Sequence, residues 1–204
     1  FSDSTTGIGP NFAAPQSIAL DSANNRALVV DSSLKAVIAV DLASSGDRTI
    51  FSDSTTGIGP NFAAPQSIAL DSANNRALVV DSSLKAVIAV DLASSGDRTI
   101  VSDRTTGIGP NFDFPQSIVV DSANNRALVG DKVREAVIAV DLASGDRTIL
   151  SDRNIGSGPN FDSPVSIALD SANNRALVVD SSLEAVIVVN LAPGAPADRA
   201  IVSK

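Results

Sequence analysis

Cysteine, histidine, methionine, tryptophan and tyrosine are all missing from this 204-residue sequence. Without cysteine there is no disulfide, no thiolate nucleophile and no Cys-bound zinc or iron–sulfur site. Without histidine the commonest general base, the usual hydrolase triads and His-based metal sites are gone. The only aromatics are 7 Phe, so the 44% of apolar residues must form a core of Val, Ile, Leu and Ala. No apolar run approaches the roughly 18 residues of a membrane-spanning helix, so no membrane span is expected. No signal peptide is visible. The chain opens on Phe1 instead of Met, which reads as a missing leader or a longer N-terminal region. An extracellular or periplasmic location is the expectation.

Acids outnumber bases 23 to 15, for a net charge of −8 and a pI near 4.4. Such a field repels nucleic acid and anionic membranes. All the acids except Glu135 and Glu184 are Asp. Asp favours turns and caps because its short side chain bonds to nearby backbone. The composition therefore describes many strands joined by many turns.

Residues 1–50 and 51–100 are identical, and two further copies follow. Pro15, Pro65, Pro115 and Pro164 mark the same point in each of these ~50-residue repeats. The third copy shortens the Ser44-Ser45-Gly46 turn to Ser144-Gly145, and the fourth carries Ala192 to Ala197 there. Length changes thus fall in a turn and spare the apolar runs. Within a copy, four strands are expected: Ser17 to Asp21, Arg26 to Asp31, Ala36 to Leu42 and Arg48 to Asp53. Gaps this short leave no room for a helical crossover, so each copy is an antiparallel meander. Asn and Gly supply the positive-φ positions of the tight turns.

The third strand is apolar on both faces: Val37 and Ala39 point one way, Ile38, Val40 and Leu42 the other. A sheet apolar on both faces must be covered on both, and the available cover is the next copy. The fold class is therefore all-β, a β-propeller of four-stranded antiparallel blades. Blades are expected at 17–53, 67–103, 117–152 and 166–203, within one domain spanning 1–204. The connector Ser54 to Gln66 leads from an outer strand to the next inner strand. Its Phe62, like Phe12, Phe112 and Phe161, is expected between blades.

Gly7, Gly9, Phe12 and Pro15, then Ile18, Asp21, Val30, Asp31 and Val37, form a skeleton that resembles the NHL-type propeller blade. The same pattern is similar to SMP-30/gluconolactonase-like propellers. The resemblance covers all four copies and implies the propeller fold. Members commonly have six, mostly shorter, blades, whereas this chain has four. A closed four-bladed ring is the expectation, with a larger or open assembly as the alternative. The closed ring would be a monomer; a dimer is the other assembly considered. The strand tail Phe1-Ser2-Asp3 is either a remnant of an upstream blade or a seal for the last one.

The most repeated polar position is the Asp that ends the second strand: Asp31, Asp81, Asp131 and Asp180. One reading is a carboxylate ring holding Ca²⁺ through oxygen ligands. The other is a cap on the following turn. The cap is expected, because repetition explains the Asp and four bare carboxylates would repel one another. Asp21 to Arg26 departs from a calcium loop at Ala23 and Arg26. It is read as a hairpin turn, with Arg26 in a surface pair to an Asp. Gly7-Ile8-Gly9 lacks the third glycine and the helix of a nucleotide fingerprint.

The resemblance implies two chemistries. Lactonase-like members use a divalent cation held by Glu, Asn and Asp, and NHL-type lyases use His. The first two copies have no Glu, Glu135 and Glu184 fall at the third strand's start, and His is absent. No catalytic residue and no cofactor is therefore assigned. A non-enzymatic scaffold or binding module is expected, with a protein, peptide or glycan as partner. The alternatives are a cation-dependent lactonase-like hydrolase, or a piece of a larger propeller or structural assembly. The charged turn Lys132, Arg134 and Glu135, which departs from the Ser32-Ser33-Leu34 pattern, is the candidate partner contact. Far-UV circular dichroism should show a single β-type minimum; helical minima would end the propeller reading.

Overall fold

The computed structural model describes residues 6–43, 46–93, 96–192 and 197–203. The Phe1-Ser2-Asp3 tail, the Ser44-Ser45 part of the third turn and Pro193 to Pro196 lie outside these residues. Each repeat forms one four-stranded antiparallel sheet whose strands lie in sequence order. Blade 1 holds β1 (Pro15–Asp21), β2 (Arg26–Asp31), β3 (Ala36–Asp41) and β4 (Arg48–Ser52). Blade 2 holds β5 (Pro65–Asp71), β6 (Arg76–Asp81), β7 (Ala86–Asp91) and β8 (Arg98–Ser102). Blade 3 holds β9 (Pro115–Asp121), β10 (Arg126–Asp131), β11 (Ala136–Asp141) and β12 (Arg147–Ser151). Blade 4 holds β13 (Pro164–Asp170), β14 (Arg175–Asp180), β15 (Ala185–Asn190) and β16 (Arg199–Ser203). The fold is all-β and of propeller type. The chain divides into two compact units, Phe1–Ile100 and Val101–Lys204.

Strand ends differ from the expected ones for local reasons. The inner strand begins at Pro15, before Ser17, because Pro15 pairs with Asp31 across a register shift. The outer strand stops at Ser52. Asp53 instead accepts the backbone N–H groups of Thr55 and Thr56, each at 2.7 Å, and starts the connector. The first turn is a 3-10 turn, Ser22–Asn24, closed by left-handed Asn25 at φ 49°. The second turn, which has no Asn or Gly, closes on left-handed Lys35, Lys85, Glu135 or Glu184. The Asp31 carboxylate holds that turn from inside through the Ser33 and Leu34 N–H groups, offsetting the conformational cost.

Face alternation builds the joint in the first unit. Leu28, Val30, Val37 and Ala39 of blade 1 pack against Ile68, Ala77, Val79, Ile88 and Val90 of blade 2, with Phe62 among them. In the second unit, Leu128, Val137 and Ala139 meet Ile167, Ala176, Val178, Ile187 and Val189 around Phe161. Each fully buried aliphatic side chain contributes about 1.5–3 kcal/mol. Phe12 is half-buried against Ala27, Val29 and Val40.

A buried arginine at the start of each outer strand ties the connector down. Arg98, only 3% exposed, donates from Nε to Pro60 O (2.7 Å) and from one terminal nitrogen to Thr56 O (2.9 Å) and Ser52 Oγ (2.6 Å). Its other terminal nitrogen reaches Asn61 Oδ1, and the guanidinium lies 5.6 Å from the Phe62 ring centre. Ser52 Oγ in turn donates to Gly96 O at 2.6 Å. Arg48, Arg147 and Arg199 make matching contacts to Pro10, Pro110 and Pro159. Arg48 is likewise 3% exposed, because the connector's carbonyls need a donor away from water. The connector also explains its two glycines. A Cβ on Gly57 or Gly59, both at positive φ, would collide with the carbonyl oxygens of Gly96 and Arg98.

Ile50, Ile100 and Ile149 are half-buried, since the outer strand lies at the blade's rim. This sets an order of effects in urea unfolding. Ile100→Ala should cost about 1–2 kcal/mol. Arg98→Ala, which strands several carbonyls, should cost about 3–5 kcal/mol. The reverse order would show that the guanidinium is peripheral to stability.

Candidate functional site

The repeated aspartate is the natural place to seek a site. Asp31, Asp81, Asp131 and Asp180 are all fully buried. β2 ends at Asp31, so its side chain turns inward under the following turn and against the incoming connector. One oxygen of Asp31 accepts from Ser33 N (3.1 Å) and Leu34 N (2.9 Å). The other accepts from Ala13 N at 2.7 Å, and Ala14 N bonds both. Asp81 repeats the set with Ala63, Ala64, Ser83 and Leu84. Asp131 takes Asp113, Phe114 and Arg134 N–H, and Asp180 takes Asp162, Ser163 and Leu183 N–H. The turn cap expected from sequence is there. The grip on the connector was missed, although the fixed spacing of Pro15 and Asp31 carried the signal. Among the described residues no group of three or more Asp or Glu is placed to hold a metal ion.

The second carboxylate of the repeat is also engaged. Asp21, 4% exposed, receives Arg26 Nε at 2.7 Å and the Asn24 amide at 2.9 Å. Arg26 lies 4.4 Å from the Phe51 ring centre. The pair therefore differs from the expected surface contact: the carboxylate is buried and the cation is stacked on an aromatic face. Burial would raise the Asp21 pKa, but hydrogen bonds from Arg26 and Asn24 and the charge of Arg26 outweigh it, leaving it lowered. Asp53 and Asp103 are likewise held low, with burial overcome by hydrogen bonds from the two threonines that follow each. Burial pushes the Arg98 guanidinium down against the opposing pull of Asp53 and Asp97.

The charged turn of the third copy is partly spent inside the blade. Arg134 pairs with Asp113 at 3.0 Å. Glu135 is the left-handed residue at φ 54°, and Lys132 is exposed. Next to them Val133 is 64% exposed. Beside the outer strand of blade 2 lies a cleft of about 640 Å³, lined by Ile58, Asn75, Arg76, Asp91, Asp97 and Arg98 among others. Its acids are turn formers: Asp97 accepts from Ile58 N and Asp91 from Ala93 N. A smaller cleft of about 300 Å³ occupies the matching place in blade 4, around Asn173, Arg175, Asn190 and Asp198. Concavity here repeats with the architecture.

No protein-family model matches the sequence, and no curated protein does. Solved structures match the fold. A gluconolactonase from Xanthomonas campestris superposes with a TM-score of 0.74 at 14% identity, over 93% of this chain and 62% of that one. A streptogramin B lyase gives 0.69 at 13% identity, over 97% of this chain and 57% of that one. A chain of a nidogen/laminin complex gives 0.58 at 17% identity, over 91% and 79%. The chain thus spans about three-fifths of the length of the first two. Identities this low speak to fold alone. Among the described residues no helix is long and apolar enough to cross a membrane.

The lowered aspartates set a pH dependence. A carboxyl whose folded pKa lies below its unfolded value stabilises the fold above the unfolded pKa, near 3.8 for these groups, and loses that contribution as pH falls through the folded value. The urea midpoint should therefore stay level from neutral pH to about 5 and fall below about 4. In Asp53→Asn with Asp103→Asn the acid-side fall should be shallower. An unchanged acid limb would show that these two carboxylates carry none of it.

Proposed function

We propose that this protein is a non-enzymatic β-propeller scaffold of NHL or SMP-30-like type that binds a protein or peptide. One observation carries the reading: the recurrent buried carboxylates are engaged by backbone amides or by arginine. Asp31 and its equivalents each accept backbone N–H groups, and Asp21 and its equivalents are paired with Arg26, Arg76, Arg126 and Arg175. Acid–base chemistry needs groups with unlike environments, and these are alike in every copy. Binding would use the loops. The connector presents Ile8, Ile58 and Ile108, each about three-quarters exposed, at the same place in three successive repeats. Apolar points of this kind, without any Trp or Tyr to stack on a sugar, favour a polypeptide over a glycan.

The lactonase-like alternative is separated by calcium calorimetry on chelator-treated protein together with a lactone-hydrolysis assay. No saturable micromolar heat and no hydrolysis above background are expected. Saturable binding that disappears in Asp81→Asn, accompanied by calcium-dependent hydrolysis, would overturn the scaffold reading.

A further inference from the structure

We infer, resting on the polypeptide-binding reading above, that the cleft beside the outer strand of blade 2 is a docking site for a basic polypeptide segment. Such a segment sets an aliphatic side chain against Ile58 and a lysine or arginine toward Asp91 and Asp97, all three of which line the cleft. The same residues recur as Ile8, Asp41 and Asp47 in blade 1 and as Ile108, Asp141 and Asp146 in blade 3.

The isoleucine backbone is held from both sides. Ile58 N–H donates to Asp97 Oδ1 at 2.9 Å, and its carbonyl accepts Arg98 N–H at 2.7 Å. It stands between Gly57 and Gly59, whose backbones lie too close to Gly96 and Arg98 to admit a Cβ. Ile8 and Ile108 are fixed by the same two bonds. All three side chains nonetheless stay about three-quarters exposed. An apolar group on a backbone already fixed gives up little freedom when a partner covers it.

The fourth repeat shows that folding does not call for the isoleucine. Ser157 stands at its position, donates from its N–H to Asp198 Oδ1 at 2.7 Å and accepts Arg199 N–H at 2.7 Å. The connector is therefore built equally well on serine. The neighbouring acid behaves alike. Asp91 accepts Ala93 N–H at 2.7 Å to form its turn, and Asn190, at the matching position, accepts Ala192 N–H at 3.0 Å. Neither the side chain of Ile58 nor the charge of Asp91 is needed for the local fold, yet three repeats keep both and the fourth drops both.

Charge at the cleft fixes the kind of partner. In blade 2 Arg76 is paired with buried Asp71, and Arg98 is buried under the connector carbonyls. Exposed Asp91 and half-buried Asp97 are added to these, so three acids stand against two arginines. In blade 4 Asp170 and Asp198 stand against Arg175 and Arg199, which is even. The cleft shrinks as well, from about 640 to about 300 Å³. An acidic hollow with one large aliphatic on its rim fits a cation with an apolar neighbour, and the aliphatic stem of lysine or arginine adds to the contact.

Fluorescence anisotropy of the 204-residue chain with short labelled peptides tests the site. The probes alternate Leu with Lys, Leu with Glu, or Ser with Lys. Two variant sets copy the fourth repeat: Ile8→Ser, Ile58→Ser and Ile108→Ser together, and Asp41→Asn, Asp91→Asn and Asp141→Asn together. Both should keep the β-type circular dichroism and the urea midpoint. The unaltered chain should bind the Leu-Lys probe in preference to the other two. The serine set should weaken that binding about tenfold or more, although its net charge is still −8. The asparagine set should weaken it too and flatten its salt dependence. Leu-Lys binding that the serine set leaves intact would be diffuse charge attraction and would overturn the inference. So would equal binding of the Leu-Glu probe, or no Leu-Lys binding at all. Self-association of the chain that the serine set abolishes would put a second copy in the cleft and overturn the basic-segment assignment. The polypeptide-binding reading itself falls only on the calcium and lactone measurements above.

Discussion

Everything else in each blade pair is arranged around a cation with no access to water. Arg98 and its equivalents Arg48, Arg147 and Arg199 are 3–5% exposed, yet each guanidinium is spread over carbonyl oxygens of one connector. Five donors in a rigid plane suit this work, which a lysine's point charge would do less well. The connector is long and irregular, and its carbonyls have no sheet to bond to. Hidden without partners, each would cost about 1–3 kcal/mol. Arginine satisfies them, and its stacking over Phe62 places that ring where the two blades meet.

The buried aspartate complements the arginine from the other end of the connector. Asp81 fixes Ala63 and Ala64 just before β5 begins, while Arg98 fixes Thr56 and Pro60 upstream. Between them the residues from one blade to the next are held by charged groups acting mainly on backbone, with Asn61 Oδ1 and the Phe62 ring also engaged by Arg98. Ile58, 74% exposed, is the large apolar side chain of this stretch that points outward. The repeated acids and the outer-strand arginines are thus structural elements, which bears directly on what chemistry the surface can offer.

Strands, antiparallel order and the apolar character of both blade faces were legible in the sequence, because alternation in A-L-V-V-D and A-V-I-A-V fixes side-chain direction through a period of two. The turn cap at Asp31 was legible for the same local reason. The roles of Arg48 and Arg26 were not. A charged residue at a strand's start reads as solvent-facing when only neighbours in sequence are considered, and both are satisfied by other parts of the blade: Arg48 by carbonyls about forty residues away, Arg26 by Asp21 and the Phe51 ring. The left-handed Lys35 was hidden too, since the stabilising groups are backbone amides gathered by Asp31 and have no sequence signature. The Gly7-Ile8-Gly9 pair was recognisable as special but not explained until the crossing of Gly9 with Arg48's backbone was seen.

Near-identical copies also limit where function can arise, because a working site requires a departure from the average blade. The third copy departs at several positions. Gly130 takes the place of Val30 and Val80, and a Cβ there would sit 2.6 Å from the Ser117 hydroxyl, which is buried and makes no hydrogen bond. The Ser117 hydroxyl occupies the space that the valine side chain fills in the first two copies, and Gly130 itself is buried. Asp113 and Arg134, absent from the other copies as a pair, bond to one another across the connector and the second turn. Both changes act inside the blade. Among the substitutions in this copy, Arg104, Lys132 and Val133 are exposed, the last two side by side, one charged and one apolar. Divergence in this copy thus adds a contact within the blade while leaving a short mixed segment at the surface.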